Sequence, residues 1–114
     1  MKETPIKEQV MKWLKAQDIY AVKNIANQLT EPGRPDIFAC VPTTVRQLVD
    51  AYGLDGVVGL FVGIENKATD KLGNVSEAQL IHMRHIERNG GIWFAANSLD
   101  MVKEVIECLI QNTA

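Results

Sequence analysis

No apolar run in this sequence approaches the ~20 residues that span a bilayer, so no transmembrane helix is expected within it. The polar start, Met1-Lys2-Glu3-Thr4, also lacks the apolar stretch of a signal peptide, and the expected location is the cytoplasm. Cysteine is scarce. Cys40 and Cys108 each stand in an apolar stretch without the CxxC spacing of a zinc site, and read as buried free thiols. Excess basic charge is missing too: the formal net charge is -2, where a dedicated DNA-binding domain usually carries a basic face. That absence counts against nucleic acid without excluding it. Carboxylates gathered for a metal enter the count, and a bound divalent cation returns positive charge locally. Nothing in the 114 residues repeats, and no low-complexity segment or linker divides them, so a single domain is expected over 1–114.

What is present is a series of short periodic segments. Ile6, Val10, Trp13 and Leu14 recur at helical spacing behind Thr4, an expected N-cap, and Pro5 in the first turn. They predict a helix to about Gln17 with one apolar face. Ile19 to Ile25 reads as a short strand, and Asn27 to Pro35 as a loop rich in breakers. Asp36 to Val41, nearly continuous in apolar residues, reads as a central strand. Pro42-Thr43-Thr44 stops it and introduces a helix from Val45 to Tyr52, followed by a turn at Gly53 to Gly56. Val57 to Lys67 is the longest strand signal, polar only at its end. Beyond the polar loop Ala68 to Val75, Ser76 and Gln79 have capping-box spacing for a helix whose Leu80, Met83 and Ile86 share a face. Asn89-Gly90-Gly91 ends that helix, and Ile92 to Ala96 reads as a buried strand. Ser98 then caps a last helix with Met101, Val102, Val105, Ile106 and Leu109 toward the core. The order α-β-β-(α)-β-α-β-α predicts an α/β domain, a small mixed β-sheet flanked by helices.

Two of the apolar runs carry an acid at or next to one end. Asp36 stands at GRPDIF, and Glu65 and Lys67 close GLFVGIENK. Strand side chains alternate faces, so Glu65 and Lys67 project together while Asn66 turns away. If the two strands are neighbours, Asp36 joins them, making two carboxylates and an ammonium at one point. Hydrolysis of a phosphodiester needs hard oxygen ligands for Mg²⁺, an activated water and a group to orient it. Any one E-x-K triplet is explained as well by a surface ion pair. Gln79 is sufficiently explained as a cap, yet it also opens the helix after the Lys67 loop, where a helix N-terminus favours phosphate. Glu8 and Glu3 are candidates for a third acid. Lys23, Arg34, Lys71, Arg84 and Arg88 are candidate phosphate contacts, each also explained as a solvated cation. His82 and His85 read as surface or packing histidines, and Trp93 as core.

GRPDIFACV, GLFVGIENK and GNVSEAQ, in this order and spacing, resemble the VRR-NUC domains of the PD-(D/E)xK nuclease superfamily, the stand-alone, phage-type members above all. The likeness runs from the first helix through GGIWFAANS. It implies a restriction-endonuclease-like core and Mg²⁺-dependent cleavage of DNA, with Mn²⁺ able to substitute. Asp36 and Glu65 would then ligate the metal, with the backbone carbonyl of Asn66 helping, and Lys67 would assist the water. Gln79 would match the helix glutamine of the family, and Glu8, rather than Glu3, its first-helix acid. From the residues themselves, Lys23, Arg34, Ser76 and Lys71 are the expected DNA contacts. Similarity to Holliday-junction resolvases implies branched DNA as substrate and a homodimer. Flap or linear-duplex cleavage, or a non-cleaving DNA-binding domain on the same fold, are the alternatives. Asn66 departs from the usual apolar residue of the triplet, and residues 42–56 read as an insertion between the catalytic strands.

Overall fold

A computed structural model describes residues 3–24, 33–68 and 70–110, with side chains of the first helix from Pro5 onward. The elements run α1 (Glu3–Ala16), β1 (Tyr20–Lys23), β2 (Ile37–Cys40), α2 (Val45–Tyr52), β3 (Val62–Asn66), α3 (Glu77–Arg88), β4 (Ile92–Ala96) and α4 (Leu99–Ile110). The chain is therefore mixed α/β in the expected element order.

The strands do not form the single sheet that was expected. β1 and β2 pair antiparallel, with Tyr20 opposite Cys40 and Lys23 opposite Ile37. β3 and β4 pair parallel, from Val62 opposite Ile92 to Asn66 opposite Ala96. Each pair is a separate two-stranded sheet, so β2 is not central and Asp36 is not brought beside Glu65 by strand pairing. The parallel pair follows from its connection: a parallel neighbour needs a long crossover, and α3 supplies it. β2 keeps one exposed face, on which Phe38 is 43% exposed.

Local punctuation sets the best-read boundaries. The Thr44 side chain accepts from the backbone N–H of Gln47 to start α2, and Gly53 (φ 80°) ends it in a conformation that costs glycine little. Ser98 Oγ accepts from the N–H of Met101 at the start of α4. Other boundaries move. α1 begins at Glu3, so Thr4 lies inside the helix; Pro5 is still in the first turn, where no intrahelical N–H bond is required. Part of the predicted Ile19 to Ile25 strand and most of the loop after it lie outside the described residues. β3 is much shorter than Val57 to Lys67, since an apolar run without a ladder partner does not become a strand; Val57 is 93% exposed.

Among the described residues Leu14, Cys40, Ile86 and Ala96 are the buried apolar side chains, and Asn89 is a buried polar one. On α1 the inward stripe is rotated one residue from expectation. Lys7, Met11 and Leu14 turn inward, while Ile6, Val10 and Trp13 are exposed. One residue is ~100° of helix, so the choice between these stripes belongs to the surface α1 packs on. Cys108 is exposed, which corrects its reading as a buried thiol: it sits on the outer side of α4, and only Cys40 is enclosed.

The two sheets meet at the C-terminal end of α3. Asn89 Oδ1 accepts from the backbone N–H of Tyr20 at 2.6 Å, and Asn89 Nδ2 donates to the Asp18 carbonyl at 3.0 Å. Arg88 donates twice to the Asp18 carboxylate, at 3.1 and 2.9 Å. His85 Nε2 lies 2.9 Å from the Asp18 carbonyl oxygen, and Cys40 Sγ donates to the Asn89 carbonyl at 3.7 Å. Asp18 adopts φ 59°, a left-handed conformation that Asp tolerates better than most residues.

Candidate functional site

β3 ends on alternating burial: Ile64 and Asn66 are exposed, while Glu65 and Lys67 are half-buried. Period-two geometry thus puts the acid and the base on one side of the strand and turns Asn66 to the other. The ladder continues one step past the strand, where the Lys67 N–H donates to the Ala96 carbonyl at 2.9 Å. That bond ties the Lys67 backbone to β4 and fixes the point from which its side chain departs.

The Lys67 side chain reaches α3. Its Nζ donates to Gln79 Oε1 at 2.8 Å, and the same oxygen accepts from the Ser76 N–H at 3.0 Å. Ser76 Oγ accepts from the Gln79 N–H at 3.1 Å, completing a capping box. Gln79 therefore caps the helix and also holds the lysine, with one carbonyl oxygen serving both. The glutamine Nε2 and the remaining ammonium N–H groups stay as donors at a helix N-terminus, a place that favours anions. Glu65, half-buried on the same side of the strand, makes no hydrogen bond or ion pair among the described residues.

The other expected participants lie elsewhere. Asp36, just ahead of β2, has a largely exposed side chain whose Oδ1 is 3.4 Å from Lys7 Nζ. The rotated stripe of α1 explains this pairing, because it carries a lysine rather than Glu8 toward Asp36. Glu8 is exposed and lines a different cleft, with Lys23 and His82. Arg34 and Lys71 are exposed, and Ser76 is engaged as a cap. Arg88 is held by Asp18. Glu3 has its side chain outside the described residues. Among the described residues no group of three or more His, Cys, Asp or Glu side chains could hold a metal ion. Asp36, Glu65 and the Asn66 carbonyl are hard oxygen donors suited to Mg²⁺, which often takes only one or two carboxylates and keeps its waters.

A pair that sequence reasoning missed is Tyr20 and His82, whose Oη and Nδ1 share a hydrogen bond at 3.1 Å. Phe61, His82 and His85 also meet the Tyr20 ring nearly edge-on, at centroid distances of 5.8, 5.7 and 5.3 Å. The i, i+3 spacing of the two histidines was visible, but their partner lies 62 positions away. Burial pushes the Tyr20 phenol above its usual value.

The second large cleft, of about 640 Å³, lies between α2, the end of β2 and the irregular run 57–61. The expected insertion forms its outer wall. α2 buries none of its residues, and Val45, Tyr52 and Leu54 are well exposed.

Compared with known proteins, the chain matches no family model, no curated protein and no solved structure. No helix among the described residues is long and apolar enough to cross a membrane.

Proposed function

We propose that this chain is a metal-dependent deoxyribonuclease with a restriction-endonuclease-like core, acting on branched or otherwise structured DNA. The observation that carries the reading is the contact of Lys67 Nζ with Gln79 Oε1 at 2.8 Å, on the side of β3 that Glu65 shares. A half-buried carboxylate, an ammonium and an amide at a helix N-terminus form a small site of mixed charge suited to a phosphodiester and a water. Mg²⁺, or Mn²⁺ in its place, would be held by Glu65 and the Asn66 carbonyl, with Asp36 reaching it only on a movement of β2 toward β3, and would neutralise charge on the phosphate. Lys67 orients the water, and Gln79 steadies Lys67 and offers its own N–H groups. Lys23, Arg34, Lys71 and the Ser76 end of α3 lie along the DNA backbone.

A homodimer belongs to the same proposal. Its contact is the exposed apolar surface of α2 and residues 57–60, since patches of this kind mark interaction sites.

The test is Mg²⁺-dependent cleavage of labelled four-way junctions, flaps and linear duplexes by the wild type, Glu65→Gln, Lys67→Ala and Asp36→Asn. Each variant is expected to keep its fold and to lose about 100-fold or more in rate, the scale of a lost acid–base or charge-stabilising group. Undiminished cleavage by Lys67→Ala and Glu65→Gln would remove the proposal. Binding of junctions without cleavage by the wild type in Mg²⁺ and Mn²⁺ would favour a non-cleaving DNA-binding domain. Sedimentation of the same samples decides the dimer: a monomer at assay concentrations removes it.

A further inference from the structure

We propose that the cleft between α1, β1 and α3 binds an organic phosphate with a flat apolar body, of the nucleoside monophosphate class. Its volume, about 490 Å³, is within the range of small-molecule pockets. Met11, Ile19 and Ile81 give it apolar walls. Lys12, Lys15 and Lys23 line it as well, against the single carboxylate of Glu8. With the histidines neutral this is a local charge of +2, in a chain whose formal net charge is -2. Three exposed lysines bordering one apolar slot complement a phosphate carried on a hydrophobic ring.

The polar atoms inside the cleft are preset. Tyr20 Oη and His82 Nδ1 already satisfy each other at 3.1 Å. In the neutral tautomer whose Nδ1 accepts from the phenol, His82 carries its proton on Nε2, a donor available to a ligand. His85 is turned to Asp18, with Nε2 at 2.9 Å from the carbonyl oxygen, so it serves as wall rather than ligand donor. The near-perpendicular contacts of Phe61, His82 and His85 hold the Tyr20 ring in place, and a fixed aromatic wall loses little entropy on binding. A cleft of this size with one aromatic wall suits a nucleobase better than a long acyl chain, which would need an extended channel.

None of Asp36, Glu65 and Lys67 lines this cleft, although Lys23, a proposed DNA contact, does, so its occupancy is read as nucleotide binding and not as cleavage. The experiment is calorimetry and NMR of the His82 ring on the full chain, in chelator and without divalent cation, with AMP, dTMP, adenosine and inorganic phosphate. AMP and dTMP are expected to bind saturably and shift His82. Adenosine and inorganic phosphate should each bind at least about tenfold more weakly, because each supplies only half of the recognition. The Lys12→Gln/Lys15→Gln/Lys23→Gln variant changes exposed side chains only, and should weaken AMP about tenfold or more with unchanged thermal unfolding. A 5′-phosphorylated oligonucleotide that displaces AMP identifies a strand end as the source of the nucleotide, and failure to displace identifies the free form. Either result supports the site. Overturning results are no saturable binding of either nucleotide, inorganic phosphate binding as tightly as AMP, or affinity untouched by the triple variant.

Discussion

Asn89 carries more of this fold than any residue the sequence advertises. It is buried, its side chain serves the backbones of Tyr20 and Asp18, and its own carbonyl receives the Cys40 thiol. Truncation orphans the Tyr20 N–H in a half-buried position. Asn89→Ala is therefore expected to cost about 1–3 kcal/mol in denaturant unfolding. Arg88→Ala, by contrast, removes an exposed, solvent-screened ion pair and should cost clearly less, so equal losses would contradict this ranking. None of this network was legible. Asn89 reads as part of a helix stop, which it is, but its partners at 18–20 are some 70 positions away and no local pattern connects them. Glu65, Lys67 and Gln79 were legible because their relation is short-range: a strand alternation, then a capping box just beyond a loop. Asp36 was not placed correctly by the same logic, since its partner depended on which face α1 turns inward.

At the scale of elements, legibility follows punctuation. α2 and β4 occupy the predicted spans, Val45–Tyr52 and Ile92–Ala96, each bounded by glycine and a hydroxyl cap. The α1 stripe was misread by one residue because two adjacent stripes both hold apolar side chains, and the packing that selects one is absent from the sequence. β3 is shorter than its apolar run because hydrophobicity continues through residues 57–61 where no strand partner does. Ser76 is the element-scale lever on the proposed site. Ser76→Ala removes the acceptor for the Gln79 N–H and should cost about 1 kcal/mol of stability. The Gln79 side chain also loses its fixed start, so cleavage is expected to fall by more than the stability loss alone explains, while Ser76→Asp restores both. A variant that is destabilised yet cleaves at the wild-type rate would show that capping and site are independent.

For the whole molecule, titration sets the window of stability. The hydrogen bonds from Arg88, helped by its charge and that of His85, hold the Asp18 carboxyl below the usual 3.8. A lowered folded pKa adds stability above the ordinary value, and that increment is lost as pH falls through the folded value. Burial pushes the Cys40 thiol above 9.0, against the opposing backbone hydrogen bond of Gly91, and pushes the Tyr20 phenol above 10.0. Raised folded values add stability that is complete below the ordinary ones and is lost as pH rises. Thermal unfolding should show a plateau with an acid limb below about pH 4 and an alkaline limb beginning near pH 9. Cys40→Ala should delay the alkaline limb toward pH 10; an unchanged limb would exclude the thiol. The joint at Asp18 and Asn89 has a further consequence. Each sheet satisfies its own ladder, and among the described residues the link between them is the Tyr20 ring against Phe61 and α3 together with a few hydrogen bonds around Asn89. The halves should thus behave as two foldons, with the β3–β4 amides outlasting those of β1–β2 in native-state hydrogen exchange, and Asn89→Ala widening the gap. A single rate across all four strands would instead mean one cooperative unit. With such a joint, the spacing of Asp36 from Glu65 becomes an adjustable quantity, tuned by how firmly one asparagine grips a neighbouring turn.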